Sequence, residues 1–559
     1  MKRVGRAGWR LSALLLALIQ VPVVLKTGAD PTQSDFANYL TPAVVLSHGG
    51  DVGALYGRDA FDRAMSQAGL PGLGSFIPHP PANALWLLPL ASQPPAEAKA
   101  LWSGVLVLAL VSTIVAVAGL RAGFDPAVAA VLVLAPTLAV RNGLAFGQPY
   151  PILAALLAMG VVALERGREF SAGLLLGLGV SFKPYALWIG ALFLHRDRGR
   201  ALAGFLCGAA LPSAFLWMVA GPGPFAEFEA KVLPWMLKGD IQDPFSPAWG
   251  SATALFNRLL RFEPDLNPYP WLIAPGLARF LGAAVPAALL VLGVLAGRRA
   301  MEGGRVLDAV GLSIAFAVAA SPFAATYHLV LLAIPFAALA ARWEGRARLL
   351  VLAGYALLGS TAVNALRSAS GALTPLAYAR FFGLTVVALA IAWPFLRPRI
   401  GLPVVAVGGV AGCLAVVASG AVEPWPRIES ARGYSMMHPR FCGSRLRWAS
   451  PSADGRRLES RGEGEDCEEN AGATGAGRVE SRFADGSWNL YLHGLAAGQA
   501  RRLTYSSANE VDPVMTPDGC AVVFASDQGR GLGSTALYRI EVPALRADCA
   551  GAAPAGFRP

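Results

Sequence analysis

Apolar runs of helix-spanning length recur from residue 11 to residue 420 of this chain, and they restrict its fold more than any other feature. They cover 11–26, 98–120, 125–140, 150–164, 201–220, 272–297, 305–320, 326–341, 348–366, 380–396 and 401–420. A helix needs roughly 20 apolar residues to cross about 30 Å of hydrocarbon, and somewhat fewer inside a bundle. Backbone polar groups find no partner in lipid, so only helices or closed barrels span it. The runs lack the polar–apolar alternation of barrel strands. Composition agrees, with 55% of the 559 residues hydrophobic and 15% charged, against about a quarter charged in soluble domains. Mean hydropathy is +0.49. The expected fold is a polytopic α-helical membrane protein.

The net charge of +11 is distributed as topology signals rather than as a nucleic-acid surface. Basic residues collect in short connections: Lys2, Arg3, Arg6 and Arg10; Arg166 and Arg168; Arg196, Arg198 and Arg200; Arg298, Arg299 and Arg305; Arg342, Arg346 and Arg348; Arg397 and Arg399. Positive loops stay in the cytoplasm. The N-terminus is therefore expected inside, with 28–97, 141–149, 221–271, 321–326 and 367–379 outside. About thirteen spans result if 171–182 and 184–194 are two short helices turning at Lys183-Pro184, and if Ala82–Leu90 dips into the membrane without crossing. Residues 1–25 resemble a signal peptide in their basic start and short apolar core. No small-x-small site follows Leu25, so an uncleaved anchor is expected.

After residue 420 the chain becomes polar, so the expected domains are a membrane domain at 1–425 and an exported β-rich domain at 426–559. Four of the six cysteines lie in this tail: Cys442, Cys467, Cys520 and Cys549. In an oxidising space an even count reads as disulfides. The sequence-local pairs Cys442–Cys467 and Cys520–Cys549 are expected, each stabilising by roughly 2–4 kcal/mol. Cys207 and Cys413 sit in apolar runs as buried thiols, and no spacing supports zinc. Short alternating runs are split by Asp-Gly turns at Asp485-Gly486 and Asp518-Gly519. The set Leu490-Tyr491, Arg501-Arg502-Leu503-Thr504 and Pro517-Asp518-Gly519 through Phe524-Ala525-Ser526-Asp527 resembles the blade repeat of TolB-type β-propellers, with Thr516 where Ser is usual. Two or three blades fit, short of the four to eight that close a propeller, so a partial propeller-like domain is expected, with 455–480 as a loop.

The membrane part carries landmarks in a fixed order. Asp35-Phe36-x-x-Tyr39 is followed by Gly49-Gly50-Asp51, Leu55-Tyr56, Phe76-Ile77-Pro78-His79-Pro80-Pro81 and Ala84–Leu90. Asn142-Gly143 and Gly147-Gln148 come next, then Ala172–Gly177, Lys183-Pro184-Tyr185, Ser251, Arg258-Leu259-Leu260, and Ser321-Pro322 through His328. From about residue 30 to 395 this set resembles glycosyltransferase family 87, the bacterial membrane mannosyl- and arabinofuranosyltransferases of the glycosyltransferase-C superfamily. Two positions depart from the family pattern: His79 stands where Tyr is common, and Trp249-Gly250-Ser251 replaces a more usual Asn-Gln-Ser. The resemblance implies inverting transfer of mannose or an arabinofuranose from a polyprenyl-phosphate sugar to an extracytoplasmic glycan or glycolipid, with Asp35 as general base.

The same chemistry follows from the residues. Nucleotide sugars are not supplied outside the cytoplasm, so a lipid-phosphate sugar is the natural donor, and no cofactor or metal is expected. Transfer needs a carboxylate to take the acceptor proton, worth roughly 10²–10⁴ in rate. It also needs cations for the departing phosphate and an apolar groove for the prenyl chain. Asp35 supplies the first, and Lys183, His328 and Arg141 are the candidate phosphate ligands. Tyr39, one helical turn after Asp35, Gln148 and His79 are candidate substrate contacts. Plainer roles stay open: Asp35 as a helix cap, Lys183 as a snorkelling interfacial residue, His328 as an interfacial histidine, Gln148 as a turn cap, and His48 and His79 as structural groups. Two other function classes compete. A transporter would show inverted repeats and midplane charges, which are missing from the sequence. A membrane-anchored sensor or assembly factor would work through its tail.

Overall fold

The computed structural model describes residues 2–32, 34–70, 74–183, 186–238, 243–263, 266–396, 428, 435–451, 458–462, 478–484, 487–493, 500–506, 508–528, 530 and 534–542. It divides into two compact units, one of Met1–Phe228, Ser246–Arg261 and Tyr269–Val416, the other of Glu229–Phe245, Phe262–Pro268 and Val417–Pro559.

The first unit is helical. Among the described residues four helices are long and apolar enough to cross a membrane: Arg6–Thr27, Pro95–Ala118, Gly199–Ala220 and Pro275–Glu302. Two bent pairs raise the number to six if each is one span: Pro126–Leu134 with Thr137–Phe146, bent by 68°, and Gly371–Ala377 with Ala379–Phe395, bent by 55°. Shorter apolar helices cover Tyr150–Glu165, Glu169–Phe182, Val306–Ala320 and Thr326–Arg342. The expected thirteen spans are not reached among the described residues, and the run 401–420 lies outside them. Several runs are shortened by 3₁₀ turns. The run 348–366 is α-helical only to Leu358 and then tightens at Ala362–Leu366. Residues Ala82–Leu90 make two 3₁₀ pieces, Pro81–Leu85 and Leu88–Leu90, far too short to span.

Local sequence explains the helix ends. Proline occupies the first turn of Pro95–Ala118, Pro126–Leu134 and Pro275–Glu302, where its missing N–H costs nothing. Asp125 caps the second of these by accepting from the Ala127 N–H at 2.9 Å. Pro136 separates the two halves of the bent pair, as a proline inside a helix does. The helix Val306–Ala320 is buried from Leu307 to Ala320, as a helix apolar on nearly all sides is, and its acidic residue Asp308 pairs with Arg305 at 2.7 Å.

The helices Glu169–Phe182 and Gly199–Ala220 approach each other through two pairs of glycines four residues apart. A Cβ on Gly173 would lie 2.0 Å from the Ala201 carbonyl oxygen, and one on Gly177 would lie 2.1 Å from that of Phe205. From the other side, Gly204 and Gly208 face the carbonyl oxygens of Phe170 and Leu174 at 2.1 and 2.3 Å. Small residues at this spacing let backbones touch in a membrane, where the hydrophobic effect does not drive helices together.

Among the described residues, the second unit is built on three antiparallel sheets of three strands each. They are β1 (Met437–Cys442), β2 (Arg445–Pro451) and β3 (Leu458–Gly462); β4 (Arg478–Ala484), β5 (Ser487–His493) and β6 (Arg501–Arg502); and β7 (Glu510–Met515), β8 (Ala521–Ser526) and β9 (Ala536–Glu541). Each sheet runs in chain order, so all three are meanders. Leu490, Leu492, Val522, Phe524, Ala536, Leu537 and Trp448 form their core. Thr516 fits its turn without the usual Ser: its hydroxyl donates to Asp518 at 2.5 Å and accepts from the Ala521 N–H at 3.0 Å.

Three expectations are corrected here. The propeller-like expectation is not supported: among the described residues the sheets are small, with three strands each where propeller blades have four. The repeated strand–turn pattern specifies hairpins, and a meander satisfies that pattern as well as a blade does. Strand β3 also lies inside the stretch 455–480 expected to be a loop. Cys467 and Cys549, the expected partners of Cys442 and Cys520, lie outside the described residues, as do Asp485-Gly486 and Cys413. Cys207 is a free, exposed thiol on Gly199–Ala220 rather than a buried one.

The segments Glu229–Phe245 and Phe262–Pro268 belong to this second unit. Glu263 pairs with Arg530 at 3.0 Å, their side chains 8% and 1% exposed. The Glu263 carboxylate also accepts from the Leu266 N–H at 2.6 Å, and the Arg530 Nε donates to the Ser534 carbonyl at 3.0 Å. Lys231 stands over the rings of Phe483 and Trp488 at 5.0 and 5.4 Å.

Candidate active site

Asp35 opens the helix Ser34–Ser47 and is half-buried. One turn on, the fully buried Tyr39 donates its hydroxyl to Gln148 Oε1 at 3.0 Å. That bond fixes the orientation of the amide, leaving its Nε2, the donor end, for the Asp35 carboxylate, to which Gln148 is hydrogen-bonded. Gln148 owes its place to the end of helix Thr137–Phe146. Gly147 takes a left-handed conformation at φ 70°, which costs a side-chain-bearing residue more than glycine, and the Gln148 N–H returns to the Gly143 carbonyl at 2.9 Å.

Lys183 terminates the helix Glu169–Phe182 in extended backbone. The segment before it is pinned: Asn83 donates to the Ser181 carbonyl at 3.1 Å, and Trp86 stacks on Phe182 with centroids 3.7 Å apart. Its ammonium reaches His79 Nδ1 at 3.1 Å and lies 6.0 Å from the Tyr39 ring centroid. A cation donating to Nδ1 fixes His79 as the neutral tautomer with its proton on Nε2. That Nε2 is buried and has no hydrogen-bond partner among the described residues. The His79 carbonyl accepts from Tyr56 at 2.8 Å, and its ring lies 4.7 Å from that of Tyr39.

His328 completes the group from the 3₁₀ turn Thr326–Leu332. Its Nε2 is 2.5 Å from the Tyr150 hydroxyl, and the two rings stack at 4.4 Å. Lys183 is within electrostatic reach of both His328 and Asp35. Tyr327 packs on Tyr150 at 5.1 Å.

The electrostatics suit a proton acceptor beside an anion site. Burial raises the Asp35 pKa above its ordinary 3.8, opposed by the Gln148 hydrogen bond and the charges of Lys183 and Lys99. Burial lowers Lys183 from 10.5 to about 8, against the pull of Asp35. His79 is pushed well below 6.5, first by burial and then by Lys183. Burial and the nearby Asp35 raise Tyr39 well above 10, which keeps its hydroxyl a donor.

Six candidates from the sequence, Asp35, Tyr39, His79, Gln148, Lys183 and His328, thus meet in one cluster. Arg141 does not join it: the arginine is exposed on the helix Thr137–Phe146, which continues to Phe146 where a loop at 141–149 was expected. His48 lies apart, its ring bonded to the Val44 carbonyl at 2.9 Å. Sequence reasoning missed Tyr150, Tyr327, Trp102 and Lys99. Only Lys99 left a signal, as a lone lysine inside the apolar run 98–120.

Residues 76–322 match the family model described as Glycosyltransferase family 87. The match supports a membrane glycosyltransferase. It takes in His79, Gln148 and Lys183, while Asp35 and His328 lie outside its limits. No curated protein and no solved structure matches the chain.

Proposed function

We propose that this protein transfers a sugar from a polyprenyl-phosphate donor to an extracytoplasmic glycan or glycolipid hydroxyl, with inversion at the anomeric carbon. The observation that carries this reading is the pairing, in one cluster, of a half-buried carboxylate oriented by Gln148 and Tyr39 with the Lys183 ammonium. Asp35 takes the proton of the acceptor hydroxyl as that oxygen bonds to the anomeric carbon. The bond from that carbon to the phosphate oxygen breaks, and its electron pair leaves on the phosphate. Lys183, with the Nε2–H of His79 and His328 beside it, stabilises the departing charge. A single displacement leaves no sugar on the enzyme. Mannose and arabinofuranose are the sugars to test first.

The site faces the exported side in this reading. The Glu263–Arg530 pair would put Glu263 and the tail on one side of the membrane, which supports the exported placement of both from the basic loops.

Asp35→Asn keeps the size and hydrogen bonding of the side chain but accepts no proton. The purified full-length protein, incubated with labelled polyprenyl-phosphate mannose or arabinofuranose and a glycan acceptor, should lose about 10²–10⁴ in turnover on this change. Product formed by Asp35→Asn at the native rate would remove the base assignment.

A further inference from the structure

Among the described residues of the helical unit, several buried charges take no part in the transfer steps, and Lys99 is one of them. Lys99 lies on Pro95–Ala118 with no exposed surface, and an ammonium at such a position is expensive without compensation. Its Nζ donates to the Leu144 carbonyl at 3.0 Å and sits 5.5 Å from the centroid of the Phe36 ring, the neighbour of Asp35. One turn further along the same helix, Trp102 Nε1 donates to the Gly147 carbonyl at 2.7 Å. Both acceptors lie at the C-terminal end of Thr137–Phe146, where the last carbonyls of a helix concentrate negative charge. A Cβ on Gly147 would stand 3.3 Å from Lys99 Nζ and 3.3 Å from Phe36 Cβ, so lysine, turn and the Asp35 helix are packed without slack. The residue after Gly147 is Gln148, which holds both Asp35 and Tyr39.

We propose that Lys99 is a positioning residue of the transfer site, fixing the Gly147-Gln148 turn and supplying positive charge that balances Asp35. The inference rests on Asp35 as the base. A carbonyl satisfies one of the three ammonium hydrogens but carries no net charge. The carboxylates within electrostatic reach of Lys99 are Asp30 and Asp35. Asp35 in turn faces Lys99, Lys183, Gln148 and, on its own helix, Tyr39. Removing Lys99 takes away one of the two cations that favour the Asp35 carboxylate, so its protonation should move to higher pH.

The test compares Lys99→Met, Lys99→Arg and Trp102→Phe in the full-length protein in lipid nanodiscs. Transfer from a labelled polyprenyl-phosphate sugar is followed across pH, with Asp35→Asn run alongside. Lys99→Met should lower turnover by roughly 10²-fold through misplacement of the Gln148 turn and shift the acid limb of the profile upward. Lys99→Arg should restore that limb. Trp102→Phe, which removes a bond to the same turn but no charge, should lower turnover with the acid limb in place. If Lys99→Met fails to fold, Lys99→Gln keeps a donor for Leu144 without charge and must show the same shift. An acid limb unmoved in the neutral variants, with Asp35→Asn inactive, overturns the role of Lys99 alone; an active Asp35→Asn overturns the underlying reading of the base.

Discussion

Substituting Gly177 by Ala tests whether the close contact of two helices sets the reach of Lys183. The new Cβ would meet the Phe205 carbonyl oxygen at 2.1 Å, its carbon at 2.9 Å and the Ala209 nitrogen at 3.0 Å. All three are backbone atoms, so no side-chain rotation relieves the clash. Ordinary contact begins at 3.4 Å, and the helices must therefore separate by more than an ångström. Overpacking of this kind costs about 1–3 kcal/mol, and the better helix propensity of Ala over Gly returns up to about 1 kcal/mol. A net loss of about 0–3 kcal/mol is expected. Lys183 lies six residues further on, about 9 Å along the helix axis, and shares the displacement. Its 3.1 Å contact with His79 should open, and an error of about 1 Å at a reacting group costs up to roughly 10²-fold in rate. Thermal unfolding in detergent and transfer from a polyprenyl-phosphate sugar are the two measurements. Gly354→Ala is the control, because nothing lies within 4 Å of a Cβ there. A Gly177→Ala protein matching the native one in both measurements would refute the argument.

Lys183, lowered to about 8 by burial, should give the transfer profile an alkaline limb near pH 8, since its cation is lost above that value; Lys183→Arg should carry the limb upward. The same shift makes the folded state bind fewer protons than the unfolded chain between about 8 and 10.5, so Lys183's contribution to stability should rise with pH across that window and be absent from it in Lys183→Met. Unreduced peptide mass spectrometry should find Cys442 joined to Cys467 and Cys520 to Cys549, and free thiols at all four would reject the pairing or the exported tail. An export-active reporter fused after residue 425 should work while a cytoplasm-active one stays dark; the reverse pattern would overturn the placement of the site as well.

The helical unit was legible because a span announces itself through length and hydropathy, which are local properties. Its interruptions were less so. The run 125–140 was read as continuous apolar sequence, yet Pro136 breaks it into halves bent by 68°, and that bend contributes to where the Gly147-Gln148 turn lies. In the site, Asp35 and Tyr39 were legible together because four residues make one helical turn. Convergence of His79, Gln148, Lys183 and His328 depends on tertiary packing that no spacing encodes. Arg141 shows the cost: charge and loop position favoured it, but a continuing helix leaves it exposed. Lys99 erred the other way, since a lysine near the end of an apolar run is normally taken as interfacial. In the tail, β5, β7, β8 and β9 followed from alternation and turn residues, whereas β3 and β4 are rich in Glu, Ser and Arg and carry little apolar pattern.

The Glu263–Arg530 pair also bears on how the protein is made. The two residues are 267 positions apart, which at about 5–20 residues per second is roughly 13–53 s of synthesis. Throughout that interval the helices from Pro275 onward are being inserted while Glu263 waits without its arginine. The second unit therefore cannot mature in step with the ribosome, and its assembly follows delivery of the end of the chain. A message truncated just before codon 530 would yield a protein that carries the described helices but lacks the arginine that pairs with Glu263.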